Sequence, residues 1–435
     1  MFVAEPERKT EVLAHHEVVV LGGGPAGIAA ATAAGRAGRS TILVERYGFL
    51  GGAGTAAGLA NFCGLHGKVD GAHRQVVHGI ADDVLQRLQA LDALSAPHLL
   101  FGGRIQAQAY DVSAYKLVAD QVLAAANVHL LFHALAVGYR DGHLLVETKS
   151  GRRAIRGQAF VDCSGDGDLA AWAGAPYEIG DGRGNMLYPS TMYRIGGVDP
   201  QKAGNAWERI AELMEAAEKK GRKFPRKKPI VRPQPNPVEW RANLTQIRNP
   251  DGSAVNGIDA AQLSWGEVEG RRQVWDTFQF IRESAPGFER AYIAEIAPQI
   301  GIRETRRVRG HYQLSEDDVL DCVDFADSIG VNGWPVEEHV AGSVEFRFQR
   351  KARGYNQLPY RMLVPVQTES LLVAGRCASM THGGQSAARV SGACFAMGQA
   401  AGSAAHLCLA AGVAPRALDA QRLQQHLRDN GAWLG

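Results

Sequence analysis

The sequence is poor in several features that would assign it to a common class of protein. Its 435 residues include six cysteines, which are scattered and form neither a C-x-x-C pair nor a metal-type cluster. We therefore expect reduced thiols, no disulfide framework and no bound metal, as is usual in the cytoplasm. The 47 Lys and Arg residues nearly balance the 45 Asp and Glu residues. This balance leaves no overall field to attract nucleic acid or an anionic membrane.

Segments that would direct or anchor the chain are also missing from the sequence. Residues 1–16 contain no apolar core of the kind found in signal peptides, and no stretch reaches the ~20 uninterrupted apolar residues of a membrane span. We expect a soluble, cytoplasmic protein with neither a membrane nor a nucleic acid as partner. The length suffices for two domains, or for one domain with a large insertion.

Glycine, by contrast, is abundant, with 51 residues where average usage is about 7%. The segment EVVVLGGGPAG (17–27) is an apolar run followed by Gly22, Gly24 and Gly27 in the spacing G-x-G-x-x-G. A strand that stops at glycines and restarts as a helix presents bare backbone N–H groups to an anion. A second strand, TILVE, ends at Glu45, where a ribose hydroxyl would need an acceptor. The pattern predicts a dinucleotide site.

Two later segments repeat this arrangement of a buried strand ending in glycine. The run QAFVDCSGDGD (158–168) ends in Ser164 and Gly165, and SLLVAGR (370–376) ends in Gly375 and Arg376. In doubly wound folds, ligands bind at the carboxyl ends of the strands. All three strand ends are therefore expected to meet at one site.

The order of these segments predicts an α/β fold with a discontinuous Rossmann-like domain. We assign its parts to residues 1–178 and 357–435, with an inserted mixed α+β substrate domain at 179–356. The insertion contains two amphipathic helices and a basic, proline-rich segment, KKGRKFPRKKPIVRPQPNP (219–237). We interpret that segment as a solvated loop, with an anion-binding patch as the alternative.

Four motifs, in order along nearly the whole chain, resemble those of FAD-dependent oxidoreductases. The family is part of the two-dinucleotide-binding flavoprotein superfamily that includes glutathione reductase and fumarate reductase flavoproteins. The motifs are GGGPAG at 22–27, DCSGDGD at 162–168, IGIRETRR at 300–307 and AGRC at 374–377. The sequence departs from the family at THGGQSAARV (381–390), where T-H-E-A-L-G-S-x-R-V is more usual. This departure bears on the loop and the substrate rather than on the cofactor.

The resemblance implies an FAD bound across the strand ends. We expect this FAD to be dissociable, because the chain has no local motif that matches the covalent histidine attachment of some related flavoproteins. Its pyrophosphate would lie on the N–H groups after Gly22 and Gly24, its ribose on Glu45 and Arg46, and its adenine on the backbone of Ala136. The residues expected to contact FAD are Gly22, Gly24, Pro25, Ala26, Gly27, Glu45, Arg46, Gly51, Gly52, Thr55, Ala136, Ser164, Gly165, Gly375, Arg376, Ser386 and Ala388.

The last long segment, 382–407, is rich in small residues and is predicted to form one helix. Its N-terminus, around Ser386 and Ala388, would direct backbone donors and a positive dipole end at the N1/O2 edge of the flavin. Such a site would favour the anionic form of the reduced flavin.

The sequence shows no second dinucleotide fingerprint, since GDGRGN (180–185) follows no apolar strand and is typical of a loop. Electrons are therefore expected from the substrate or from an external donor or acceptor. The sequence predicts a dehydrogenase or oxidase that transfers hydride between a small carboxylated or heterocyclic molecule and flavin N5. Two alternatives stay open: an NAD(P)H-dependent flavin monooxygenase, and a non-catalytic electron-relay subunit. The oligomeric state is also open, with a homodimer as one option.

Candidate catalytic residues lie in QIGIRETRRVRGHYQL (299–314), which as a strand would place Arg303, Arg307 and His311 on one face. Arg303 and Arg307 could clamp a substrate carboxylate, because a guanidinium offers a planar, bidentate fork. The alternative is that these arginines form Arg–Glu ion pairs with a structural role. His311 and His382 are the candidate proton acceptors, the alternative for each being a structural hydrogen bond.

Overall fold

The computed structural model describes residue 3 and residues 8–435. Within these residues the chain forms both strands and α-helices, as the predicted α/β class requires. The strands are β1 Glu11–Leu21, β2 Thr41–Val44, β3 Asn61–Cys63, β4 His66–Val69, β5 Ala72–Gln75, β6 His98–Leu100, β7 Ile105–Ala109, β8 His129–Leu131, β9 Leu135–Arg140, β10 His143–Thr148, β11 Gly151–Asp162, β12 Tyr177–Ile179, β13 Tyr193–Gly196, β14 Ile230–Pro233, β15 Trp240–Asn243, β16 Tyr292–Ile296, β17 Arg306–Val308, β18 Ser328–Asn332, β19 Val336–Glu338, β20 Glu345–Arg347, β21 Asn356–Pro359 and β22 Leu371–Val373. The helices are α1 Pro25–Arg36, α2 Ile80–Ala90, α3 Val112–Ala125, α4 Asp168–Trp172, α5 Pro200–Ala203, α6 Ala206–Glu218, α7 Ala260–Ser284, α8 Glu316–Leu320, α9 His382–Ala388, α10 Ser391–Ala411 and α11 Ala420–Asp429.

The largest sheet has the order β8-β2-β1-β11-β10-β9, and β22 pairs with the carboxyl end of β11. Strands β8, β2, β1, β11 and β22 run parallel, whereas β10 and β9 form an antiparallel edge. Val18, Val19 and Val20 in β1 are fully buried, as is typical of a central strand in a parallel sheet. Since β22 lies far along the chain from β11, the Rossmann-like domain is discontinuous, as expected.

Helices α1 and α10 cross at backbone contact on one face of this sheet. A Cβ atom on Gly398 would lie 2.1 Å from the carbonyl oxygen of Ala26, and one on Gly402 would lie 2.1 Å from that of Ala30. The glycines therefore set the distance between the two helices. Helix α10 is long and apolar enough to cross a membrane by length and composition, alone among the described helices. Its small side chains are mostly buried in the protein core, which accounts for its composition.

A second, four-stranded sheet with the order β14-β15-β13-β16 packs with α6 and α7 around a core of its own. Trp240, Phe278 and Phe288 are among the large side chains of that core. This sheet and its helices lie within the inserted domain predicted at 179–356. Most buried side chains from Val308 to Leu358 belong to the first core, whereas Trp334 belongs to a small separate cluster with Ile105, Ala107 and Val390.

Three predicted elements differ in the structure. The helix predicted over 382–407 is two helices, interrupted at Arg389 and Val390. The apolar run VHLLFHALAV (128–137), whose pattern predicts one strand, forms two, β8 and β9, with His133 between them in a left-handed conformation. The segment 219–237 is not wholly a solvated loop, because it includes β14 and a buried arginine, Arg226.

Candidate active site

A cavity of about 410 Å³ lies at the carboxyl ends of β1, β2 and β11. Its wall includes residues from all four sequence motifs, from 22–27 to 374–377. Among the residues predicted to contact a dinucleotide, the following line it: Gly22, Gly24, Pro25, Ala26, Glu45, Arg46, Gly52, Ala136, Ser164, Gly165, Gly375 and Arg376. The structure therefore brings together segments that are far apart in the sequence.

Helix α1 begins at this cavity with unused hydrogen-bond donors. Its N-cap residue, Gly24, has no capping side chain, and no acidic residue stands in its first turn. The first N–H groups of a helix have no partner within the helix, and together with the helix dipole they favour an anion. Gly22 has φ +96°, and a Cβ atom there would lie 2.4 Å from the carbonyl oxygen of Cys163. Only glycine permits this close approach of the backbone at position 22. The backbone N–H groups at Gly24 and the start of α1 form a cradle that fits a pyrophosphate.

Glu45 ends β2 on the cavity wall and is 7% exposed. Its Oε2 accepts a hydrogen bond from Gly23 N at 2.7 Å, and its Oε1 accepts one from Tyr47 N at 3.0 Å. These bonds fix the carboxylate while each oxygen keeps acceptor capacity for a further donor. The carboxylate is therefore suited to accept hydrogen bonds from ribose hydroxyls.

Arg376 joins three of the sequence motifs at the cavity wall. Its Nη2 donates to Asp166 Oδ1 at 2.8 Å, and its Nη1 donates to Thr305 Oγ1 at 2.9 Å. Thr305 in turn donates to Asp166 Oδ1 at 2.9 Å. A Cβ atom on Gly165 would lie 2.9 Å from Arg376 Nη2, so glycine leaves room for the guanidinium. The network orients a positive charge beside the proposed pyrophosphate cradle.

Five of the predicted cofactor residues lie outside the cavity lining. Gly27 instead packs against the carbonyl of Gly22, and Thr55 Oγ1 donates to Leu50 O at 2.6 Å to hold the loop that contains Gly51. Ser386 and Ala388 are buried in α9, because the predicted helix is interrupted after them. The two residues of the interruption, Arg389 and Val390, and two residues of the first turn of α10, Ser391 and Cys394, line the cavity in their place.

A second cavity of about 250 Å³ adjoins the first, between the Rossmann-like part and the second sheet. The two cavities share part of their walls. The shared residues are Ala53, Ala57, Leu59, Ile302, Arg389 and Val390. A molecule in the second cavity would thus lie next to the part of the first cavity that is bounded by the start of α10.

Six cationic side chains but only one carboxylate, that of Glu337, line the second cavity. The cations are Arg226, Lys228, Arg232, Arg241, Arg303 and Arg389. Burial lowers the pKa of Arg226 to about 10, and burial followed by Arg241 lowers that of Arg232 to about 10. Positive charge in this cavity is therefore costly to the folded protein.

Glu337 is held by two donors, Trp334 Nε1 at 2.8 Å and the imidazole of His339, whose Nε2 lies 3.0 Å from Oε1. Burial, followed by Arg303, lowers the pKa of His339 well below its usual value. A neutral His339 that donates from Nε2 has its lone pair on Nδ1, which is buried and has no hydrogen-bond partner among the described residues. The arrangement is that of a base oriented by a carboxylate.

Of the predicted catalytic residues, Arg303 lines the second cavity, whereas Arg307, His311 and His382 line neither cavity. The hypothesis of one long strand face is wrong, because β17 covers only Arg306–Val308. Arg307 forms a buried ion pair with Glu304, which is the structural alternative considered above. His382 Nδ1 lies 3.0 Å from the same carboxylate, and His311 is exposed.

The sequence-based prediction missed Arg226, Arg241 and His339. The available signal for Arg241 was an arginine inside the short strand WRAN, where a charged residue is unusual if the strand is buried. His339 follows Glu337 in V-E-E-H, a spacing that is uninformative without the fold. Cys63 also lines the second cavity, and burial raises the pKa of its thiol to about 12, so it is not a thiolate nucleophile.

Similarity to known proteins identifies the family of this chain. No curated protein sequence matches the chain. Among solved structures, a geranylgeranyl bacteriochlorophyll reductase-like protein from Thermoplasma acidophilum is 12% identical with a TM-score of 0.49, over 96% of this chain and 84% of that one. A p-nitrophenol 4-monooxygenase from Pseudomonas putida DLL-E4 is 12% identical with a TM-score of 0.47, over 96% and 84% of the two chains. Residues 17–427 match the family described as FAD dependent oxidoreductase, and the chain belongs to that family.

Proposed function

We propose that the protein transfers hydride between flavin N5 of a bound FAD and a small organic substrate, carboxylated or heterocyclic, in the second cavity. The observation that carries the proposal is the wall shared by the two cavities, which includes Arg389 and Val390. FAD, when bound, supplies the hydride-accepting or hydride-donating centre. The first cavity would hold it through the backbone of Gly22 and Gly24, the carboxylate of Glu45 and the guanidinium of Arg376.

The protein's own contribution in the second cavity would be to orient the substrate and to accept a proton. Arg303 donates from Nη1 to Tyr188 O at 2.8 Å, which fixes the guanidinium at the cavity wall. When an alcohol or amine is oxidised by loss of hydride, its O–H or N–H proton must also leave. His339 takes that role in place of His311 and His382, because its Nδ1 is unpartnered and Glu337 orients the ring.

The experiment that tests the proposal is an anaerobic reduction screen of the FAD-loaded protein. Small acids, amines and heterocycles are mixed with it, and loss of the visible flavin absorbance is followed, with NADH and NADPH as separate additions. We expect a member of the small-molecule panel to bleach the flavin and the nicotinamides to bleach it slowly or not at all.

Two other outcomes would replace the proposal with a different function. Rapid bleaching by NADPH, followed by oxygen-dependent hydroxylation of an added compound, would identify a monooxygenase. Bleaching only in the presence of a separate redox protein would identify an electron-relay subunit. For the bleaching compound, His339→Gln should slow reduction about 100-fold with FAD content unchanged, as expected for loss of a general base. His382→Gln is the matched control and should leave the rate constant of reduction unchanged.

A further inference from the structure

The cations of the second cavity form no ion pair with a carboxylate within the described residues. Arg226 and Arg241 are 2% and 6% exposed, and neither forms an ion pair within the described residues. Arg307, which is equally buried, is paired with Glu304. A buried charge without a counterion is strongly unfavourable, and proteins normally neutralise it. The difference marks the second cavity as a place where positive charge is retained for a ligand.

The arginines of the cavity donate instead to neutral backbone carbonyls. Arg226 Nη2 donates to Lys228 O at 2.7 Å, Arg241 Nη1 to Leu59 O, and Arg389 Nη2 to Glu337 O at 3.4 Å. These bonds position the guanidinium groups but leave their charge uncompensated. The Nε atoms of the same three arginines, Arg226, Arg241 and Arg389, are buried and have no partner among the described residues.

Two of these cations are placed side by side by the second sheet. Arg232 on β14 and Arg241 on β15 are register partners in an antiparallel pair, so their side chains project from the same face. Like charges directly opposite each other are destabilising, which is consistent with a bound anion between or beside them. Asn243, two residues beyond Arg241 on the same face, also lines the cavity.

Much of the remaining lining is apolar and partly aromatic. It includes Leu100, Phe101, Met192, Trp334 and Phe346. Aromatic and aliphatic side chains of this kind bury the body of a ligand, while a few polar groups fix its orientation. The cavity therefore combines an apolar pocket with a cationic one.

We infer that the second cavity binds an organic anion with an apolar body, its carboxylate held by Arg226, Arg241 and Arg303. The inference rests on the proposed function only in identifying this anion as the substrate. A carboxylate matches the planar guanidinium fork and can accept from two of them at once. The bound carboxylate would also offset the charge of Arg303, one of the groups that lower the pKa of His339. Binding of the carboxylate would then favour proton acceptance by His339, through the charge of Arg303.

The inference is tested by calorimetric titration of the FAD-loaded protein with matched pairs of probes. The pairs are benzoate and benzamide, cinnamate and cinnamamide, and 2-naphthoate and 2-naphthamide, with phenyl phosphate as a different anion. We expect at least one carboxylate to bind about 10-fold or more tightly than its amide, because a charge-assisted hydrogen bond replaces a neutral one. If no carboxylate binds more tightly than its amide, the inference is wrong. Tighter binding of phenyl phosphate than of every carboxylate would replace the carboxylate by a phosphate ester.

Arg241→Met assigns the binding to the proposed residues, with Arg194→Met as its matched control. Arg194 is the register partner of Arg241 on β13, but it is paired with Glu239 and Glu295 at 3.3 and 2.9 Å. We expect Arg241→Met to weaken carboxylate binding about 10-fold, to leave amide binding unchanged, and to keep or raise Tm, since an unpaired buried charge is removed. Arg194→Met should keep the affinity for carboxylates. Equal losses of affinity in the two variants would overturn the inference.

These probes carry no hydride to transfer, so their binding is independent of turnover. Carboxylate-selective binding without any bleaching compound in the reduction screen would leave the inference standing and count against the proposed function. Bleaching by an uncharged compound, together with equal binding of acids and amides, would overturn the inference and support the proposed function.

Discussion

Arg376 Nη2 lies 2.8 Å from Asp166 Oδ1, an ion pair between residues 210 positions apart in the chain. Both side chains belong to motifs that follow parallel strands, β22 and β11, which pair with each other. Thr305, from a third motif, donates to the same carboxylate oxygen. The pair therefore ties the returning part of the Rossmann-like domain to its first part, at the wall of the first cavity.

Asp166→Asn should weaken FAD binding about 10-fold, because it removes a charge-assisted bond that orients Arg376. Titration of the apoprotein with FAD, followed by flavin fluorescence, measures the effect. Asp181→Asn, in an exposed loop, is the control and should keep the wild-type affinity. An unchanged FAD affinity in Asp166→Asn would show that this ion pair has no part in cofactor binding.

Gly22→Ala should abolish FAD binding and lower stability. Both Gly22 and Gly182 have positive φ, so alanine costs about 1–2 kcal/mol at either position from backbone conformation alone. At Gly22 the added Cβ would also meet the carbonyl of Cys163, whereas at Gly182 it would meet no heavy atom within 4 Å. Urea unfolding and FAD content of the purified variants separate the two effects. If Gly182→Ala loses FAD as Gly22→Ala does, the close approach of backbone is not what the cradle requires.

Replacement of Arg303 by Met should weaken substrate binding, whereas replacement of Arg307 by Met should lower stability. Arg303→Met should raise KM at least 10-fold with FAD retained, since it removes a charged contact in the second cavity. Arg307→Met should instead lower the free energy of unfolding by about 3 kcal/mol, because it leaves the buried Glu304 without its arginine partner. Steady-state kinetics with a substrate found by the screen and chemical denaturation test the pair. An unchanged KM for Arg303→Met would remove this residue from substrate binding.

The acid limb of the stability profile should depend on His66. Burial, followed by His73 and His78, lowers the pKa of His66 to about 4. Between the unfolded value near 6.5 and this folded value, the unfolded chain binds more protons, so stability falls as pH decreases through that window. The shift corresponds to about 3 kcal/mol for this one group. His66→Gln should flatten the dependence of unfolding free energy on pH. A profile unchanged by His66→Gln would contradict this assignment.

The segments that line the first cavity could be predicted from the sequence, for a physical reason. A glycine fingerprint specifies its own local geometry: a strand, a turn that only glycine permits and a helix N-terminus, as at Gly22 and Gly24. Glu45 could be predicted as well, because it comes directly after the next strand, which ends at the same edge of the sheet. The interruption of the last helix at Arg389 was not predictable, because small residues on both sides of it favour a continuous helix.

The second cavity could not be predicted, because no local pattern encodes it. Arg226, Arg241 and His339 come from a loop, a short strand of the second sheet and the chain after β19, and only the tertiary structure brings them together. Arg307 was a plausible ligand-binding residue by type, and its buried pairing with Glu304 and its position outside both cavities separate it from Arg303. Charge without a partner is visible in a structure and not in a sequence.

The most direct test of the central claim is a crystal structure of the FAD-loaded protein soaked with the tightest-binding aromatic carboxylate. We predict the pyrophosphate at the N-terminus of α1, the isoalloxazine ring beside Val390 and Ser391, and the carboxylate in contact with Arg241 and Arg303. An isoalloxazine ring directed away from the arginine-lined cavity, or a ligand bound elsewhere on the protein, would contradict the account.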